Sequence, residues 1–207
     1  MANLSLTMYK DAIQAVVEGN SELATTIISQ DDEVDNFSFL LLRLLRSITR
    51  NISLAAYVGL ELIDCFDYQF VIHRLEHIAD NAVNISNSVL VLYDMRKKLP
   101  AKLKDRIMEM GMEVYDLCED AIKSFFTKDI EAANHIIEAE AELKRRLTKE
   151  TLEEIKRMFK GGEEDPILMC TAWTIKGSIF RVADAGAEIA EVAINSIVGR
   201  KKRSITE

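Results

Sequence analysis

The sequence predicts an all-α fold of two tandem three-helix bundles, six helices in all. The chain has 207 residues and is 48% hydrophobic, which is enough to bury a sizeable core. It has only 8 glycines and 2 prolines, too few for the many tight turns of a β-sandwich or barrel. Apolar residues instead recur at helical spacing through long segments that begin or end at glycine or proline.

Glycine and proline set the predicted helix boundaries. Proline is favoured in a first helical turn, so Pro100 and Pro166 each indicate a helix start. Glycine closes helices because it adopts the left-handed backbone of a C-cap without strain, which makes Gly19, Gly59 and Gly199 the expected stops. The six predicted helices cover residues 2–18, 21–58, 67–97, 100–127, 129–160 and 166–199, the fifth being stopped by Gly161 and Gly162.

The helices repeat as two sets of three. The start of the second helix, ELATTIISQDDEVD, aligns with EAANHIIEAEAELK of the fifth at an offset of 109 residues. The third helix contains LEHIADNAVNIS, which aligns with IFRVADAGAEIA of the sixth at an offset of 104. A loop or helix-length difference accounts for the change of offset. The sequence therefore predicts an internal duplication, with one repeat over residues 1–99 and the other over 100–207.

Charge and cysteine content narrow the class of protein. The net charge of −8 disfavours nucleic-acid binding and favours metal cations or basic partners. The three cysteines are too far apart for a disulfide scaffold or a zinc finger, as expected in a reducing cytosol; they are Cys65, Cys118 and Cys170. The N-terminus lacks the apolar stretch of a signal peptide, and no run of eighteen apolar residues occurs. We therefore expect a cytoplasmic protein.

A polar ladder lies opposite an apolar stripe on the third predicted helix. On a helical wheel the core stripe comprises Val71, Leu75, Ile78, Ala82, Ile85 and Val89. The opposite side comprises His73, Glu76, His77, Asp80, Asn84 and Asn87. Glu76 and Asp80 are one turn apart, so both can reach one cation, which would remove their mutual repulsion. His73 and His77 are further candidate ligands, although histidines at this spacing are also common on wet helix faces.

A second acidic pair precedes this helix. Asp31 and Asp35 are also four residues apart. If the second and third helices pack side by side, the four carboxylates converge on a cation that prefers oxygen ligands, such as iron, manganese or magnesium. The alternative is an ordinary solvated surface, which such carboxylate runs form more often.

The second repeat has different residues at the positions of these candidate metal ligands. Asp184 corresponds to Asp80, Phe180 replaces Glu76, and Glu188 lies one turn further along. The counterparts of the helix-2 pair are Glu140 and Lys144. Lys144 therefore brings a positive charge to the place of a carboxylate and can pair with the remaining acids.

The string HRLEHIADNAVNI resembles the signature of the PhoU family of phosphate-transport regulators. ELATTIISQDDEVD and SIFRVADAGAEIAE are similar to other parts of that family. The resemblance implies two three-helix bundles with clusters of iron, or of manganese, magnesium or zinc, held on the outer face. It assigns Glu76 and Asp80 as ligands, with Asp31 and Asp35 as partners. In the second copy only Asp184 matches cleanly, so that site would bind metal weakly, use Glu188, or be empty.

No nucleophile and base stand at catalytic spacing, and no glycine-rich phosphate loop occurs, so an enzyme is disfavoured. The resemblance implies an adaptor that docks on the ATPase subunit of a phosphate importer and on a sensor kinase, and that meets the membrane only through the transporter. The predicted first helix is short beside its partners, and we expect a homodimer to cover the exposed sides. Two alternatives are a regulator of another ion transporter and a ferritin-like di-iron oxidoreductase.

Overall fold

The computed structural model describes residues 1–158 and 165–201, and these fold into helices with no strand. The described part has seven helices, which are α1 (Ala2–Glu18), α2 (Ser21–Arg50), α3 (Ile52–Val58), α4 (Leu62–Asp94), α5 (Ala101–Thr127), α6 (Ile130–Met158) and α7 (Pro166–Lys201). The all-α prediction is confirmed. The expected stop at Gly161 and Gly162 lies outside the described residues.

The helix ends follow the local chemistry of the chain. Gly19 closes α1 with a φ of 69°, and Gly59 closes α3 with a φ of 71°. The side chain of Asn20 caps α2 by accepting a hydrogen bond from the Leu23 amide at 3.0 Å. These are the positions at which the sequence predicts breaks.

Asn51 divides the helix predicted over residues 21–58, so that prediction is wrong. Its backbone is extended, with a φ of −134°, and this ends α2 at Arg50. The Asn51 side chain then accepts a hydrogen bond from the Leu54 amide at 3.2 Å and starts α3. The separate seven-residue helix exists because asparagine competes with a continuous helix by capping the next one.

Three further boundaries, the two ends of α4 and the end of α7, differ from the prediction. α4 begins at Leu62 instead of about 67, because Glu61 and Asp64 form a reciprocal capping box. It ends at Asp94, before Arg96 adopts a φ of 53°. α7 continues through Gly199 to Lys201 instead of ending there.

The helices pack as two sets of three that share one core. α1, α2 and α4 contact one another, and so do α5, α6 and α7, while α4 against α7 and α1 against α5 join the sets. A single apolar cluster runs through both. The predicted core stripe of α4 is buried throughout. The boundary between repeats at residues 99 and 100 stays a prediction.

Among the described residues, no helix combines the length and apolar character that crossing a lipid bilayer requires.

Candidate functional site

Four carboxylates on α2 and α4 form the acidic cluster, which we define as Asp31, Asp35, Glu76 and Asp80. The two helices pack along each other. Asp31, Asp35 and Glu76 are half-buried, and Asp80 is exposed. The cluster lies beside the core and not within it, because the apolar stripe of α4 occupies the opposite side of that helix.

Asp31 is the carboxyl group that this environment perturbs most. Partial burial raises its pKa to about 6, and repulsion from Asp80 and then from Asp35 adds to the shift. Since Asp31 is on α2 and Asp80 on α4, the carboxylates of the two helices are close enough to repel each other. The acidic pairs of α2 and α4 therefore lie near each other, and their convergence on a cation stays a prediction.

Glu76 is held by polar neighbours on both sides. The buried Ser38 hydroxyl donates a hydrogen bond to Glu76 Oε2 at 2.8 Å. His73 Nδ1 lies 3.5 Å from the same oxygen, where a protonated imidazole would form an ion pair. Ser38 thus holds the Glu76 carboxylate from α2, and sequence reasoning missed it because no residue spacing indicates this contact.

Asp80 lies at the edge of an open groove of about 380 Å³ between α4 and α7. Partial burial raises its pKa, and repulsion from Glu76 adds to the effect while His77 opposes it. The groove is also lined by Asn81, Asn84 and Arg181. The buried atoms His77 Nδ1 and Asn81 Oδ1 have no hydrogen-bond partner.

The four carboxylates of the acidic cluster are ligands of the type that a hard cation prefers. All four groups supply carboxylate oxygen, and their unrelieved repulsion is a cost that a bound cation would offset. Within residues 1–158 and 165–201, however, no three histidine, cysteine, aspartate or glutamate side chains are arranged to enclose an ion. Ion binding by these groups therefore requires side-chain rotation.

In the second repeat a lysine lies where the first has an aspartate. Lys144 Nζ is 2.5 Å from Glu140 Oε1 and 2.6 Å from Asp184 Oδ1. Hydrogen bonds to the two carboxylates raise the pKa of Lys144, whereas burial and the nearby Asp184 raise that of Glu140 against the effect of the lysine. The predicted pairing of Lys144 with the remaining acids is confirmed.

Glu188, the other candidate ligand of the second repeat, faces the first repeat. Its Oε2 accepts a hydrogen bond from Arg74 Nη1 at 2.7 Å, which links α7 to α4. Arg74 also lies over the Phe70 ring at 5.1 Å. Asp184 and Glu188 thus bind two different basic side chains and do not meet on one point. Sequence reasoning missed Arg74, whose partner is 114 residues away.

Comparisons with known proteins agree with this architecture. A family model described as the PhoU domain matches residues 1–89 and 107–193. The "Phosphate-specific transport system accessory protein PhoU homolog" of Zymomonas mobilis is 27% identical over 143 residues, which make up 69% of this chain. The aligned part spans 58% of that relative's length.

Solved structures share the fold. The crystal structure of PhoU from Pseudomonas aeruginosa superposes with a TM-score of 0.84 at 19% identity, covering 96% of this chain and 92% of that one. The phosphate transport system regulatory protein PhoU from Streptococcus pneumoniae gives 0.76 at 19% identity, covering 96% and 90%. Since the family model matches both repeats across most of the sequence, the chain belongs to the PhoU family.

Proposed function

We propose that this protein is a cytoplasmic accessory regulator of a phosphate transport system, acting through a metal ion held by the acidic cluster. The family match supports the class of regulator, and the named relatives are phosphate-transport accessory or regulatory proteins. The single observation that carries the metal part is the placement of four carboxylates on two helices that pack along each other, and the pKa of Asp31, raised to about 6 by burial and by those carboxylates, supports it.

Asp31, Asp35, Glu76 and Asp80 would hold the ion. Iron is the first expectation, with manganese, magnesium and zinc as alternatives, because carboxylate oxygens bind all of them. A bound cation supplies positive charge and open coordination positions on an otherwise acidic face. Through these the protein would capture an acidic surface of the transporter's ATPase subunit or of a sensor kinase.

The second repeat would need no metal. Lys144 already pairs with both Glu140 and Asp184 and offsets their mutual repulsion, and Arg74 pairs with Glu188. We therefore assign the ion to the first repeat alone and a built-in ammonium group to the second. This asymmetry gives the protein one metal-bearing face.

The partial solvent exposure of the acidic cluster favours a regulator over a ferritin-like oxidoreductase. In di-iron oxidoreductases the carboxylates project into the core of a four-helix bundle. Here Asp80 is exposed and the core-facing stripe of α4 is apolar. A test for ferrous-iron oxidation by the iron-loaded protein should show no turnover above free iron.

Metal binding is tested with the double variant Glu76→Gln and Asp80→Asn. The matched control is Asp116→Asn with Asp120→Asn, an exposed pair at the same spacing on α5. Elemental analysis after loading and desalting should show bound metal in the wild type and the control but not in the cluster variant. Equal metal content in all three would contradict the proposal.

The regulatory part is tested separately. The ATPase subunit of the phosphate importer from the same genome should be captured by metal-loaded wild type and by the control, but not by the cluster variant. If the metal-free protein still captures the ATPase subunit, the protein is an adaptor that does not need the metal, and the metal part of the proposal is wrong. A null mutant with unchanged phosphate uptake and unchanged response to phosphate starvation would contradict the function itself.

A further inference from the structure

Exposed apolar side chains gather at one end of the molecule, where the chain turns from α2 through α3 into α4. Six of them define the apolar tip, and they are Ile52, Tyr57, Val58, Leu62, Ile63 and Phe66. Tyr57 is 88% exposed and Ile52 76% exposed, so these large side chains contact almost nothing in the protein. Exposed apolar clusters of this kind mark a surface that meets a partner or a membrane.

The tip is an ordered part of the fold and not a loose end. Ile48 of α2, Ala55 of α3 and Cys65 of α4 form a small apolar cluster of their own, separate from the main core. The cluster holds α3 across the ends of its neighbours. The exposed side chains are therefore presented outward on a fixed scaffold.

The tip projects beyond the helices that flank its base. α1 has 17 residues and α2 has 30, and a two-residue turn joins them, so α1 runs alongside only the first half of α2. α5 reaches α4 near Tyr68, whose ring contacts Phe125 at 5.3 Å. At the base of the tip, an open pocket of about 210 Å³ is lined by Leu60 together with Phe125 of α5 and Ser196 of α7.

A basic stripe runs along the same segment. Residues 36–60 contain no acidic residue and three arginines, in a chain of net charge −8, whereas three acidic residues follow within residues 61–67. Arg43, Arg46 and Arg50 are all exposed, and their spacing of three and four residues puts them on one face of α2 with Phe39. None of the three forms an ion pair with a carboxylate in the described part of the chain.

We propose that the apolar tip and the basic stripe bind the surface of an anionic lipid bilayer. Exposed apolar and aromatic side chains suit the headgroup and upper acyl region, and arginines without a carboxylate partner, set back from them along α2, suit anionic headgroups. A partner helix or a second copy of the chain would cover the apolar side chains without needing the basic stripe, and the vesicle and light-scattering measurements below distinguish these occupants.

This surface is separate from the acidic cluster and does not depend on the proposed metal. It would bring the regulator to the membrane in which a transporter lies, with the acidic cluster further along the same two helices. Binding would be peripheral, since it involves side chains of one turn region and of one helix face.

The test is co-sedimentation of the full chain with vesicles. Equimolar phosphatidylglycerol and phosphatidylcholine should bind the protein at low salt, and pure phosphatidylcholine should bind it at least tenfold more weakly. Ile52→Ser with Tyr57→Ser should weaken binding to the anionic vesicles at least about tenfold, because both side chains lose their burial in the interface. Replacing Arg43, Arg46 and Arg50 by Gln should weaken it about fivefold per arginine and remove its salt dependence.

The matched control is Tyr93→Ser, a 64% exposed aromatic residue near the far end of α4. This control and the Glu76→Gln, Asp80→Asn variant should both bind vesicles as the wild type does. The proposal is overturned if the wild type does not bind anionic vesicles, or if the control loses as much binding as the tip variant. It is also overturned if light scattering shows a dimer that the tip substitutions dissociate while vesicle binding stays unchanged.

Discussion

Lys144 lies between Glu140 and Asp184, and its position corresponds to that of Asp35 in the first repeat. The residue at this position thus has opposite effects in the two repeats. Lys144 pairs with the carboxylates of the second repeat, whereas Asp35 adds to the repulsion among those of the first. Glu140 is only 7% exposed, so its carboxylate depends on that partner more than a surface group would.

Replacing Lys144 with methionine should lower the free energy of unfolding by about 1–2 kcal/mol, less than for a fully buried pair because Lys144 and Asp184 are both partly exposed. Methionine keeps the apolar part of the lysine side chain, so the decrease in the free energy of unfolding measures the contribution of the charge. Urea unfolding at neutral pH measures it. The control is Lys149→Met, an exposed lysine on the same helix, and an equal loss in both variants would contradict the assignment.

Asp31→Asn should stabilise the metal-free protein in a pH-dependent way. The folded pKa of Asp31, about 6, lies above the ordinary value of 3.8, so the folded state holds its proton longer than the unfolded chain does. The wild type therefore loses stability as pH rises through this window, and the uncharged variant does not. The advantage of Asp31→Asn should be absent at about pH 3 and largest above about pH 7.

Urea titrations with chelator present, at several pH values across that range, measure the effect. Glu33→Gln is the control, since Glu33 is an exposed neighbour on the same helix and is not among the carboxylates that raise the pKa of Asp31. If both variants gain equally, or if the gain of Asp31→Asn does not depend on pH, then repulsion within the acidic cluster is not its source.

At the scale of the helix, the close approach of α5 to α7 depends on Gly186. A Cβ at this position would lie 2.6 Å from Leu117 Cδ2 and 2.9 Å from Cys118 Sγ, with the Cys118 Cα at 3.4 Å. The helices meet here nearly backbone to backbone. Gly186 lies in the segment IFRVADAGAEIA that the sequence aligns with the third predicted helix, but the identity of the facing residues depends on packing that periodicity does not encode.

Gly186→Ala should therefore destabilise the protein by about 1–3 kcal/mol through overpacking. Gly177→Ala, nine residues earlier on the same helix, meets nothing within 4 Å and should stabilise it by about 0.5–1 kcal/mol through helix propensity. Thermal unfolding of the two variants beside the wild type measures both. A gain at both positions would show that α5 and α7 are not in close contact at Gly186.

Helix positions were predictable wherever a residue has only one structural use. Gly19 closes a helix because its left-handed backbone suits few other residues, and the sequence placed that end correctly. Asn51 serves equally as a helix residue, a stop or a cap, and only the docking of α3 on Ile48 and Cys65 decides among these uses. The acidic pairs of the first repeat followed from spacing, whereas Ser38 and Arg74 entered through contacts between helices.

For the whole molecule, the duplicated sequence does not imply two independent units. The main apolar cluster includes residues of both repeats, and α4 packs on α7 while α1 packs on α5. The Arg74–Glu188 ion pair adds a polar link across the same junction. Neither repeat can unfold without exposing apolar surface of the other, so the two should lose structure together.

We therefore expect a single cooperative unfolding transition. Trp173 on α7 reports the second repeat, and Tyr93→Trp in a Trp173→Phe background reports α4 of the first, since both positions are partly exposed. The urea midpoints of the two fluorescence signals should coincide with that of circular dichroism. Arg74→Gln should shift all three midpoints down together. Two separate midpoints would mean that the repeats fold as independent domains, and the apolar junction between α4 and α7 would then contribute little to stability.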